Sequence, residues 1–187
     1  MKENKSLFLV VLGGRTKQSH IELHDVRWVV AENIEDTFEQ LKLEWFGDKK
    51  GLHIDSYMKI KYIDGYKLNI KNKNDKNKIV LNSIKKNYLW FINIGGYDPN
   101  DLLEKHKFGI VIASTANEAK IKAKERWLKD LKLTHKDDLY PIKRIKGLDN
   151  CIPIKKVNNW EIELIPEKFG KCQLFIPDWY GYKRIDK

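Results

Sequence analysis

A chain that repeats itself at a fixed offset can fold into far fewer architectures than one that does not, and this sequence repeats at an offset of 82. Residues 7–66 and 89–148 align without a gap. Gly13-Gly14 recurs as Gly95-Gly96, Leu7 as Leu89, Ala31 as Ala113, Trp45 as Trp127 and Gly65 as Gly147. Among polar positions, Glu22 recurs as Glu104, His24 as His106, His53 as His135 and Asp55 as Asp137. The chain holds only 6 Trp and 5 His, so coincidences of these types at one offset mark a duplication rather than chance. Four of the five histidines fall in repeat-related pairs.

Each copy predicts the same elements. An apolar run, Leu7–Leu12 or Leu89–Ile94, reads as a strand stopped by Gly-Gly, whose glycines are expected in a tight turn at positive φ. A second strand follows at His24–Ala31 and at His106–Ala113. Asn33 with Asp36, and Thr115 with Glu118, then mark helix starts of the capping-box kind. The expected apolar stripe is Ile34, Phe38, Leu41 and Trp45 in one copy, and Ala116, Ala119, Ala123 and Trp127 in the other. Both tryptophans are expected in the core. Gly47 is expected to end the first helix.

A third strand is expected at Tyr57–Ile63, with Asp64-Gly65 turning into Tyr66–Ile70. In the second copy this hairpin is enlarged, with strands expected at Ile152–Val157 and Trp160–Ile165. A sixty-residue unit has little core of its own. The fold expected is therefore α+β: two tandem β-β-α-β-β repeats packed as a pseudo-twofold pair, with mainly antiparallel sheets and one helix per repeat. The expected divisions are residues 1–70 for the first repeat, 71–88 for a Lys/Asn-rich linker, 89–165 for the second repeat and 166–187 for an aromatic tail docked on the body.

Composition narrows the function classes. With 42% apolar residues and 33% charged the chain is globular. Its longest apolar run at the N-terminus, Leu7–Leu12, is too short for a signal-peptide core or a membrane span, so a soluble protein of the cytoplasm without a membrane partner is expected. Cys151 and Cys172 form no Cys-x-x-Cys pair and are expected as buried thiols. The net charge of +10 suggests nucleic acid, but residues 67–88 alone carry seven Lys against one Asp. Basic residues are 31 Lys against 5 Arg, whereas bidentate reading of bases or phosphate favours Arg. Nucleic-acid binding through the Lys-rich linker is therefore not the favoured reading.

The strings LVVLGGR, IELHDVRWVVA, GLHIDSYMKI and IDGY, with LWFINIGGYDP and EKHKFGIVIA in the second copy, resemble a bacterial family of uncharacterised proteins, domain of unknown function 1543. The resemblance implies a bacterial, cytosolic protein. It supplies no substrate, cofactor or catalytic residue.

The residues that could carry chemistry are Glu22, His24, His53 and Asp55, with Glu104, His106, His135 and Asp137 in the second copy. In extended chain, residues two apart share a face, so each pair presents an imidazole beside a carboxylate. Such a set can hold a divalent metal, supply a base with its orienting partner, or only satisfy backbone carbonyls where strands begin. Arg15, after the two glycines, invites an anion-binding reading, but no helix start follows and the second copy has Tyr97 there. No nucleophile is identified. A binding or interaction module for a small molecule or a protein is the leading expectation. A metal-dependent or His/Asp-assisted enzyme, with its site in the crease between repeats, is the rival. Metal, cofactor and oligomeric state are left open by the sequence.

Overall fold

The computed structural model describes residues 5–73, 86–97, 100–127, 133–134, 151–167, 170 and 172–187. They belong to an α+β protein with mostly antiparallel sheets, and contacts divide the chain into two compact units: Met1–Asp75 with Lys156–Lys187, and Lys76–Lys155.

In the first unit, β1 (Ser6–Gly14) lies between β2 (Leu23–Ala31) and β3 (His53–Ile60). Its unbroken apolar run follows from that position, because a central strand with both faces covered shows no alternation. Phe8, Val10 and Leu12 pack with Val29, Ile54, the helix residue Leu41 and Trp45 just beyond it, whereas Leu7 and Leu9 are buried on the opposite face. The helix begins as a single 3-10 turn, Glu35–Thr37, and continues as α1 (Phe38–Glu44). Asp36 accepts the Asn33 amide at 3.0 Å, so the expected start signal acts through that bond. The helix ends at Glu44, ahead of Gly47, and Trp45 turns extended to fill the core.

The third strand starts at His53 and not at Tyr57. Both His53 and Asp55 lie within this strand: His53 pairs with Gly13 of β1 and Asp55 is passed over by the register, while their apolar neighbours Leu52 and Ile54 reach the core. A two-residue strand β4 (Tyr62–Ile63) turns through Asp64 (φ 49°) and Gly65 (φ 79°) into β5 (Tyr66–Asn72). Strand β5 runs through Lys71 and Asn72, which had been expected to open the linker.

The second unit repeats the central hairpin with β6 (Tyr88–Tyr97) and β7 (Lys105–Ala113). All nine cross-strand pairs match those of β1 and β2 at the offset of 82: Leu7 faces Val30 as Leu89 faces Ile112, and Gly13 faces His24 as Gly95 faces His106. Helix α2 (Ala116–Trp127) buries Ala119 and Ala123 against Ile92, Ile94 and Val111. Its start is the expected Thr115/Glu118 box: the Glu118 amide donates to Thr115 Oγ1 at 3.2 Å, and Glu118 accepts the Ser114 amide at 3.0 Å. Beside β6 lie β8 (Leu133–Thr134) and β9 (Cys151–Ile154).

After β9 the chain returns to the first unit. Strands β10 (Lys156–Val157) and β11 (Trp160–Pro166) extend the sheet of β5 and β4 in the order β10-β11-β5-β4. The strand expected in the second copy's hairpin thus pairs with the first unit, where Ile162 and Leu164 sit opposite Ile70 and Leu68. Strand β12 (Trp179–Arg184) lies on the free edge of β3. Of the residues expected in the apolar tail, Trp179 stacks on Tyr57, while Leu174, Ile176 and Tyr180 are exposed. Phe169 lies outside the described residues. The cysteines differ from expectation, since Cys172 is exposed and Cys151 half-buried; neither is in a disulfide. Among the described residues no helix is long and apolar enough to cross a membrane.

Candidate functional site

The sheet face opposite α1 changes character along its length. At one end it carries buried Leu7, Leu9, Met58 and Ile60; at the other it carries Glu22, His24, His53 and Asp55. Registration explains the convergence, because Gly13 of β1 faces His24 on β2 and His53 on β3. The register of β3 skips Asp55 between Ile54 and Ser56, a bulge that gives the strand an extra residue and re-aims its side chains.

The four side chains form a closed ring of alternating imidazole and carboxylate. His24 Nε2 lies 3.2 Å from Asp55 Oδ2 and 3.8 Å from Glu22 Oε2. His53 Nε2 lies 3.1 Å from Asp55 Oδ1 and 3.3 Å from Glu22 Oε1. Three of the four are accessible, with His24 half exposed, whereas the His53 side chain is only 1% exposed. All four belong to one unit.

His53 is held from three directions. Its Nδ1 stands 2.8 Å from the Gly51 carbonyl, which can only accept, so Nδ1 carries the hydrogen and Nε2 faces the carboxylates. The Gly51 amide in turn donates to Asp186 Oδ2 at 2.7 Å. The Tyr182 ring packs over the imidazole with centroids 4.0 Å apart. The Arg184 guanidinium, and then the Gly51 amide, hold the Asp186 carboxyl well below the usual carboxylate range. Buried Nε2 itself makes no hydrogen bond, although two carboxylate oxygens are within 3.3 Å.

The two glycines serve this arrangement and not a turn. Both lie within β1, and neither has positive φ. A methyl on Gly13 would overlap the His53 ring and stand 3.1 Å from Asp55 Oδ2, while one on Gly14 would meet Trp45 at 2.8 Å on the other face. One glycine therefore makes room for the polar cluster and the next for the core.

Arg15, just past β1, is exposed, and its carbonyl accepts the Asp48 amide at 2.7 Å; the structure gives its side chain no part in the ring. In the second unit, Glu104 and His106 pair at 3.4 Å. His135 and Asp137 lie outside the described residues. Gly13, Gly51, Tyr182 and Asp186 were not singled out as site residues in sequence. Gly13 carried a signal in its Gly-Gly repeat, but the C-terminal pair lies more than 120 residues from His53 with no motif linking them. Among the described residues no group of three or more His, Cys, Asp and Glu is so placed, as it stands, that it could hold a metal ion.

Fold and site define an α+β protein with a His–carboxylate ring on one sheet face of its first unit. The chain belongs to the family described as Domain of Unknown Function (DUF1543), which matches it twice, over residues 19–70 and 101–152. The matched stretches contain both sets of repeated His and carboxylate positions. The fold is shared with the crystal structure of a protein Il1583 from Idiomarina loihiensis, which is 27% identical, with a TM-score of 0.69 over 97% of this chain and 98% of that one. No curated protein matches.

Proposed function

We propose that this protein is a binding module whose first unit takes a small, positively charged species at Glu22, His24, His53 and Asp55. The fold that carries it is two tandem β-β-α-β-β repeats, a reading supported by the double family match and by the shared register of the two central hairpins. Two cysteines held as thiols fit a reducing compartment such as the bacterial cytosol.

One observation carries the functional reading. Buried His53 has its Nδ1 hydrogen committed to Gly51, leaving Nε2 without a hydrogen bond beside two carboxylates. A buried polar nitrogen left without a hydrogen bond costs roughly 1–3 kcal/mol. A cation drawn into the ring would be held by both carboxylates and would give Nε2 the partner it lacks. The Lys-rich segment gives less support to a nucleic-acid partner: Lys71 is already paired with Glu163 at 2.8 Å, and Lys76 and Lys78 lie outside the described residues.

The test is thermal unfolding of the full chain against a panel of metal ions and organic amines. A ligand that binds only the folded chain at about 100 times its Kd adds about 2.7 kcal/mol of stability. A cation is expected to raise the midpoint of the wild type, and Asp55→Asn with Glu22→Gln is expected to abolish the rise. If no cation in the panel shifts the wild-type midpoint, the reading is wrong.

A further inference from the structure

We propose that the species bound in the ring is a single divalent d-block metal ion of the zinc type, with His24 Nε2, His53 Nε2, Asp55 and Glu22 as its ligands. The inference rests on the cation reading above and narrows it. Two features of the site select the ion.

The first is size. A tetrahedral ion with bonds of about 2.0–2.1 Å sets its ligand atoms about 3.3 Å apart. Three of the four neighbouring contacts in the ring are 3.2, 3.3 and 3.1 Å, and the fourth, from His24 to Glu22, is 3.8 Å. An ammonium nitrogen hydrogen-bonded at about 2.8 Å to four acceptors would instead need them about 4.6 Å apart. Each imidazole nitrogen touches a different oxygen of each carboxylate, so these contacts are not the edges of one ligand tetrahedron, but they are closer to the metal's spacing than to the ammonium's.

The second is chemistry. Imidazole nitrogen favours zinc, copper, iron or nickel, while all-oxygen sites suit magnesium and calcium. A metal-bound histidine typically donates its other ring hydrogen to a carbonyl or carboxylate, which fixes the tautomer. His53 already does this through Gly51, itself anchored by Asp186. Gly13 leaves the space beside Nε2 free of a side chain. As they stand the four side chains do not form a group that could hold a metal ion; the Glu22 and Asp55 side chains are partly exposed, and binding the ion would turn one oxygen of each toward both imidazoles.

The experiment is titration of the full-length chain, stripped with a chelator, with Zn2+ alone and Co2+ alone. One equivalent of zinc is expected to bind, and the cobalt form is expected to show the strong visible absorption of a four-coordinate centre. His24→Gln alters a half-exposed ring, and Asp55→Asn keeps shape while removing charge. Each is expected to weaken zinc at least about tenfold, the lower end of what even a supporting residue contributes, in a metal-free chain that still unfolds in one cooperative transition. His106→Gln is expected to change nothing. If zinc does not bind while ethylammonium still does so in an Asp55-dependent way, the metal is overturned and the cation reading stands. If neither binds, both fail. Zinc retained by both His24→Gln and Asp55→Asn, or lost in His106→Gln, overturns the assignment as well.

Discussion

Replacing Gly13 by alanine is the smallest change that tests the site's construction. The added methyl would overlap the His53 ring and stand 3.1 Å from Asp55 Oδ2. The ring has little room to retreat, because Nδ1 is tied to Gly51 at 2.8 Å, Gly51 to Asp186 at 2.7 Å, and Tyr182 lies 4.0 Å over its face. Forcing a methyl into such packing costs about 1–3 kcal/mol. Alanine also restricts the unfolded chain, which offsets about 0.4–1 kcal/mol, so the clash wins. For a chain of this length a net loss of about 1–2 kcal/mol lowers the midpoint by roughly 2–8 °C. Thermal unfolding followed by circular dichroism reads this directly, and zinc titration of the same variant should show weakened binding. Gly14→Ala is the matched control: it strikes Trp45 in the core, so it should lower stability while zinc still binds. A Gly13→Ala chain that unfolds at the wild-type midpoint and binds zinc with wild-type affinity would refute the placement of His53 over Gly13.

Two further perturbations probe the supports. Asp186→Asn removes the charge that pairs with Arg184 and anchors the Gly51 amide, so Gly51 should exchange its amide hydrogen faster and zinc affinity should fall about tenfold; unchanged Gly51 exchange would show that the anchor does not act. In the second unit, the Ser114 hydroxyl and amide, followed by Lys122, pull the Glu118 carboxyl from its ordinary 4.5 down to about 2. A depressed carboxyl contributes stability in full above pH 4.5 and loses it as pH falls from 4.5 toward 2. Helical ellipticity should therefore decline more steeply across that window in the wild type than in Glu118→Gln, and identical slopes would contradict it.

Much of this architecture was legible because it depends on local signals. The apolar runs of β1 and β6, the starts of both helices, and the Asp64-Gly65 turn each follow from residues close together in the chain. The polar pairs were legible through the repeat, since Glu22, His24, His53 and Asp55 recur at one offset. Their meeting was not, because it depends on β2 and β3 flanking β1 in a register that brings His24 and His53 to Gly13. The Gly-Gly pair shows the same limit: sequence alone favours a turn, yet its cause is the bulk of His53 and Trp45, which lie far along the chain. The return of β11 and β12 to the first unit was hidden for the same reason, since nothing local to Trp160 or Trp179 names β5 or β3 as a partner.

The two copies differ where the ring depends on them most. The central hairpin is preserved pair for pair, and its apolar residues pack into a core in each unit. The third strand is not. In the first unit β3 runs along β1 from Gly13 to Leu7, bulging at Asp55. In the second, Gly96 faces Thr134 in the register that Gly13 and His53 establish, while Leu89–Ile92 pair with Cys151–Ile154. The edge along the second central strand has thus been taken by a segment far downstream. Strand β12, with Tyr182 over His53, belongs to the first unit alone. A ring whose key imidazole and carboxylate sit on the third strand, steadied by a strand from the C-terminus, depends on the two features in which the described residues of the units differ. The Glu104–His106 pair is what the described residues of the second unit show of a constellation that the first unit builds with β3 and braces with β12.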